Sequence, residues 1–219
     1  MRTSSRNFAV LLFDEVELWD VASVMQVASH AGRHWNWRPF RLLPTAVAVG
    51  LIETRSQLKL DAVFDLQSCP SPELLLVPGG YGARRAANDP RIVEWCAAQA
   101  PRAELVLAIG AGVSVLGAAG LLANAEVAST LENVEWLRPL LPDTRFDTSG
   151  AIVVTSLAGT PDKLLTAASG AHGLTLGLRA VERCLGARTA TALRDKLGLP
   201  PEVTRLELHD APKIGRPPR

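Results

Sequence analysis

The chain has 219 residues, 47% of them apolar and 21% charged. These proportions exclude a largely disordered, collagen-like or disulfide-dense protein and allow a substantial core. Its 23 basic and 22 acidic residues leave a net charge of +1, too little to drive wholesale binding to nucleic acid or an anionic membrane.

In chain order, FAVLLF (8–13) is an apolar run suited to a buried strand. DEVELWDVASVMQVASHAG follows, with Val16, Trp19, Val24, Val27 and Ala28 at helical spacing and Gly32 as the stop. FRLL (40–43) predicts a strand, and AVAVGLIETRSQLKLDAVF reads as short strands with a turn. LLLV (74–77) is a buried strand ended by PGGYG, and Asp89-Pro90 has the N-cap and first-turn order of a helix running to about Ala100. ELVLAI (104–109) is a strand, followed by a helix from near Gly112. Val127 and Ala128 suggest a short strand. Ser129 and Glu132 are spaced as a capping box for a helix through Trp136 and Leu137. AIVVTS (151–156) reads as the last strand. Thr160-Pro161 opens a long helical stretch to about Leu185, weakened by Gly170, Gly173 and Gly177. ARTATALRDKL forms the final helix. The tail from Pro200, rich in proline and charge, reads as mobile.

Strands alternating with helices predict an α/β fold with a mainly parallel sheet covered on both faces. The 21 residues between Glu104 and Glu126 carry no charge and have the length of a membrane span. A strand, a tight GAG turn and a short helix explain them better, so no membrane partner is expected. The start, MRTSSRNF, lacks the apolar region of a signal peptide. Cys69, Cys96 and Cys184 have no CxxC spacing, which argues against a disulfide framework or zinc site and for a reducing cytoplasm.

Ligands of open parallel sheets bind outside the carboxyl ends of the strands. Three turns therefore matter. At IGAG, a sharp strand-to-helix turn presents its residue near the positive end of the helix dipole. A cysteine there would be an activated nucleophile, but the chain has Gly110. The N–H groups of Gly110 and Ala111 can still hold an anion or carbonyl oxygen; a glycine needed only for the turn is the other reading. At VPGGYGARR, Gly79 and Gly80 let the backbone approach a ligand, and Arg84 or Arg85 can hold a carboxylate. A plain glycine turn with solvated arginines explains the same residues. Asp20, in the first turns of the first helix, is either a helix-dipole partner or, with a raised pKa, a general base or hydrogen-bond donor. Neither glycine turn completes GxGxxG, so no dinucleotide cofactor is expected. His30, His34, His172 and His209 share no metal-ligand spacing, so no metal is expected either. The tail PKIGRPPR offers a GRP core of the kind that enters A·T minor grooves, but one short copy reads as a frayed tail and no nucleic-acid partner is expected.

FDEVELWDVASVMQVAS, LLLVPGGYGARR and IGAGVSVLGAAGLL followed by VAST together resemble the ThiJ/PfpI family of the class I glutamine amidotransferase-like superfamily. The pattern is closest to the isonitrile hydratase branch and to the amino-terminal domain of AraC-type regulators with this fold. The resemblance spans roughly residues 7–198; LAGTPDKLLTAASGAHG (157–173) fits it poorly. It implies a flavodoxin-like three-layer sandwich over 1–198, with 199–219 as tail, and a homodimer. It further implies an elbow cysteine, an acid beside it and often a histidine after the next strand. Carried over, the acid is Asp20, whereas the cysteine falls on Gly110 and the histidine on Thr130. The Gly-Pro that often follows the acid in the hydratase-like branch is Ser23-Val24 here. The expected ligand pocket is thus Gly79, Gly80, Gly110, Ala111 and Thr130 beside Asp20.

The first expectation is a degenerate member that binds a small molecule or partner without covalent chemistry. About 20 residues follow the last helix, too few for a helix-turn-helix domain. The alternative is a thiol-free hydratase or lyase in which Asp20 is the general acid/base and backbone amides hold the oxyanion. A third reading is an unrelated flavodoxin-like binder of a phosphorylated ligand at the IGAG turn.

Overall fold

The structure, a computed structural model, describes residues 5–32, 37–150, 152–205 and 208–210, so His34 lies outside the described residues. Strand β1 (Arg6–Leu11) leads to helix α1 (Leu18–His30) and strand β2 (Phe40–Ala46). A hairpin of β3 (Gly50–Glu53) and β4 (Lys59–Ala62) and the short β5 (Phe64–Asp65) precede β6 (Leu74–Val77). Next come α2 (Ala83–Ala86), α3 (Pro90–Gln99) and β7 (Leu105–Ile109), then a 3-10 turn over Gly110–Gly112 continuing into α4 (Val113–Ala118). Then follow β8 (Glu126–Ala128), α5 (Leu131–Leu137), β9 (Arg145–Asp147), β10 (Ile152–Leu157) and β11 (Thr160–Ala167). The chain continues through α6 (Gly173–Leu185), α7 (Ala187–Lys196), α8 (Glu202–Arg205) and β12 (Leu208–Asp210).

Eight strands form one sheet in the order β12-β10-β11-β7-β6-β1-β2-β5, parallel except for the antiparallel β10–β11 pair. Every residue of β6 and β7 is buried, which is why LLLV and LVLAI are continuous apolar runs without alternation. Leu74 of β6 lies between Phe8 of β1 and Leu105 of β7, so these strands share one core. The connection from β1 to β2 moves one way across the sheet and that from β6 to β7 the other. With right-handed crossovers this puts α1 and α3 on opposite faces. Helix α6 packs on α1, and α4 on α3, completing a three-layer, flavodoxin-like sandwich. The direction of winding reverses between β1 and β6, the place where such sheets open a crevice at their strand ends.

Two expectations need correction. Residues 160–167 form strand β11, not the start of a helix. Ala158 and Gly159 both have positive φ (47° and 80°), the geometry of a two-residue hairpin loop, and Leu157 pairs with Thr160 across it. Lys163–Ala167 are then buried as β11 enters the sheet beside β7; a short buried run carries no period to tell strand from helix. Helix α5 is capped by Thr130, whose Oγ1 accepts from Asn133 N at 3.3 Å, rather than by Ser129, whose buried Oγ has no partner. Secondary structure also continues past the expected boundary at 198. In the stretch read as a mobile tail, α8 forms a helical turn and β12 pairs with the free edge of β10, an edge that recruits strands through backbone groups alone. By contrast Asp89 caps α3 as expected, accepting from Arg91 N at 3.0 Å with Pro90 in the first turn. The uncharged stretch after Glu104 is β7, the turn and the six-residue α4. Among the described residues no helix is long and apolar enough to cross a membrane.

Candidate functional site

The carboxyl ends of β1, β6, β7 and β11 surround a cavity of about 290 Å³. Asp20, Gly80, Gly110, Ala111 and Thr130 line it, so the structure brings together elements far apart in the chain. Gly79 is not on its surface; it holds Asp20 from behind. Asp20 sits in the first turn of α1, 3% exposed, with Oδ2 accepting from Gly79 N at 2.7 Å. Burial pushes its carboxyl up from the ordinary 3.8 to about 7; the Gly79 N–H opposes this, the charge of Glu17 adds to it, and the Gly170 N–H opposes it again. A group so poised is populated in both protonation states at neutral pH, and can accept or donate a proton or a hydrogen bond.

Gly110 stands at the turn after β7 with φ of 52°, a conformation that costs an L-residue strain. A Cβ there would face Ala168 O at 3.2 Å and Asn133 Nδ2 at 3.6 Å. The cavity floor thus carries a carboxyl, an amide and backbone, but no thiol. Cys69, Cys96 and Cys184 are free and none lines the cavity. Burial pushes the Cys96 thiol up to about 12, which leaves it protonated and inert.

Sequence reasoning missed part of the wall. Asn133 and Trp136 follow Thr130 at intervals of three and line the same cavity; that spacing at the start of a helix was the available signal. Trp136 Nε1 donates to Asn133 Oδ1 at 3.3 Å, which fixes the amide so that Nδ2 is the group turned toward Gly110. Ser169 and Gly170, at the end of β11, close the opposite side, and the mistaken helix hid them. At the mouth, the Arg55 guanidinium lies 4.0 Å from the Tyr81 ring centroid and that of Arg84 lies 4.3 Å from that of Trp136. The two arginines that the sequence left open separate here: Arg84 lines the cavity, whereas Arg85 pairs with Glu15 at 2.6 Å beside a neighbouring groove.

Neither His30 nor His172 lines the cavity: His30 Nδ1 lies 2.9 Å from Gln26 O, and His172 Nδ1 3.4 Å from Ser169 Oγ. Among the described residues no group of three or more His, Cys, Asp or Glu could hold a metal ion.

A flavodoxin-like α/β sandwich with a buried acid beside a tight glycine turn at the strand ends defines the class of protein. The chain belongs to the DJ-1/PfpI family, whose profile matches residues 6–183. It is similar to the isonitrile hydratase of Pseudomonas putida, 28% identical over 195 residues, which is 87% of this chain and 77% of that protein. Among solved structures it resembles a ThiJ/PfpI family protein from Pseudomonas syringae (TM-score 0.76, 19% identity, covering 91% of this chain and 77% of that one). It also resembles an AraC family transcriptional regulator from Pseudomonas putida (TM-score 0.71, 21% identity, covering 88% of this chain and 99% of that one). At these identities the structural likenesses speak for the fold.

Proposed function

We propose that this DJ-1/PfpI family member binds a small polar molecule without covalent chemistry, in the cavity between Asp20, Gly110 and Asn133. The observation that carries the reading is Gly110: the turn where the resemblance implies a cysteine has no side chain, and no other cysteine lines the cavity. Thr130, where the resemblance implies a histidine, is occupied as a helix cap. What remains is a set of hydrogen-bonding groups, Asp20 and the Asn133 amide, around an open volume. The resemblance supports a homodimer, and three unpaired cysteines support a cytoplasmic setting.

One observation favours a second reading. Asp20 at about 7 is matched to general acid/base work at neutral pH, as a hydratase or lyase without a thiol would need. One experiment separates the two. Isonitriles, 2-oxoaldehydes and small amides are presented to the wild type and to Asp20→Asn, with binding read by ligand-observed NMR and turnover assayed at high enzyme concentration. A compound that binds, is recovered unchanged and loses affinity in the variant supports the binding reading. Turnover by the wild type that disappears in a folded Asp20→Asn variant overturns it in favour of the second.

A further inference from the structure

Of Arg55, Arg84 and Arg85, Arg84 has its charge uncommitted among the described residues. Arg85 is paired with Glu15, and Arg55 has Glu17 at 3.9 Å and the Tyr81 hydroxyl at 3.2 Å. Among the described residues no carboxylate pairs with Arg84. Its guanidinium is instead laid over the Trp136 ring, an arrangement that fixes the planar fork while leaving its edge N–H groups free to donate. Trp136 is itself tied down through Nε1 to Asn133 Oδ1, and Asn133 N is tied to Thr130 Oγ1. One indole therefore spaces a preorganised cation from a preorganised neutral donor, Asn133 Nδ2, which stands over Gly110. Glu17 and Glu132 also line the cavity, and their charges disfavour a second negative charge on whatever Arg84 receives.

We infer that the cavity takes a small monocarboxylate that carries a carbonyl a few bonds from its carboxylate. The carboxylate sits on the Arg84 fork, and the carbonyl oxygen accepts from Asn133 Nδ2 in the volume above Gly110. A planar carboxylate matches a guanidinium fork in two parallel hydrogen bonds, whereas a phosphate dianion brings a second negative charge into a cavity lined by Glu17 and Glu132. This assignment rests on the reading of the cavity as a ligand site and adds the class of ligand.

The test uses 4-oxopentanoate and its uncharged amide, 4-oxopentanamide, titrated by calorimetry into the wild type, Arg84→Gln and Arg85→Gln. The wild type is expected to favour the carboxylate by about ten-fold, the difference between a charge-assisted and a neutral hydrogen-bonded pair. Arg84→Gln removes that preference and Arg85→Gln keeps it. Equal affinities in the wild type, or a preference that survives Arg84→Gln, overturn the assignment. So does the failure of both probes to bind. Whether the cavity is a ligand site at all is decided separately, by the compound panel against the wild type and Asp20→Asn.

Discussion

The buried carboxyl of Asp20 makes a quantitative prediction about folding. In the unfolded chain it titrates near 3.8 and in the folded protein near 7. Below pH 3.8 both states hold the proton and Asp20 contributes no pH dependence. As pH rises toward 7 the unfolded chain releases the proton while the folded protein keeps it, so stability falls; above 7 the loss is complete. An interval of about 3 pH units at 1.36 kcal/mol each corresponds to about 4 kcal/mol in full. Between pH 5 and pH 8 the part still to be lost is about 2–3 kcal/mol. Asp20→Asn removes the titration. The variant also gives up part of the cradle, because an amide nitrogen cannot accept the N–H that a second carboxylate oxygen does, at a cost of about 1 kcal/mol. That cost is independent of pH and cancels when each protein is compared with itself. Urea unfolding of both proteins at pH 5 and pH 8 should therefore show the variant gaining about 2–3 kcal/mol on the wild type across the interval. Other groups titrate alike in both and drop out. A difference that is flat with pH would show that Asp20 is an ordinary carboxylate in the folded protein. One that moves the other way would show that the Gly79 and Gly170 N–H groups outweigh burial. Either result refutes the argument.

Three further outcomes follow from the same geometry. Gly79→Ala places a Cβ 2.9 Å from both Asp20 Oδ2 and Ile109 O, and should lower stability by about 1–3 kcal/mol through overpacking, read as a drop in the urea midpoint at pH 7. Gly110→Ala places its Cβ in a tight 3.2 Å contact with Ala168 O and adds strain from φ of 52°, together about 1–2 kcal/mol; ligand affinity, measured by NMR on any compound that binds the wild type, should fall as the Cβ enters the cavity. Cys96, with its thiol pushed up to about 12, should resist iodoacetamide in the native protein at pH 8 and be labelled in urea, as mass spectrometry of peptides would show.

Much of the fold is legible in sequence because parallel strands buried on both faces are written as plain apolar runs. LLLV and LVLAI fall on β6 and β7, and PGGYG and IGAG mark the strand ends that carry the site. Strand β11 is buried only from Lys163 onward; its exposed first residues, Thr160-Pro161, imitate a helix start, and the hairpin loop uses Ala158 where asparagine or aspartate would have announced it. Ser129 and Glu132 imitate a capping box, yet the chain leaves β8 one residue later and Thr130 takes the cap. The site divides in the same way. Asp20 and Gly110 could be placed because each sits at an element boundary with a recognisable chemistry. Arg84 and Arg85 could not be told apart, because adjacent residues on a helix point about 100° apart and only the packing of α2 decides which one meets the cavity. Asn133 was invisible for a different reason: its role depends on Trp136 holding one end of its amide, a relation between side chains that no residue pattern encodes.

The glycines around Asp20 are of two kinds, and the difference bears on what the cavity is for. A Cβ at Gly170 would stand 2.7 Å from Asp20 Oδ1, and one at Gly79 2.9 Å from Oδ2. Those two positions, on loops from different strands, are glycine because the carboxyl is gripped from both sides by backbone, and any side chain would expel it. Gly110 is under no such compulsion. Its nearest neighbours would be Ala168 O at 3.2 Å, a tight contact with backbone, and Asn133 Nδ2 at 3.6 Å, both farther than the contacts at 79 and 170. Its positive φ is a strain that nucleophile elbows sustain with a side chain in place. Crowding therefore explains glycine at 79 and 170 and bears less heavily on 110. Asp20 keeps its full backbone cradle at the expense of two side chains, while the facing position is less crowded. The space so left is bordered by a fixed amide donor and lies in the same cavity as an acid poised near neutrality. On the proposed binding reading, that space takes an atom of the ligand, and the Gly110 turn and the Arg84–Trp136 wall, which line the same cavity, act together.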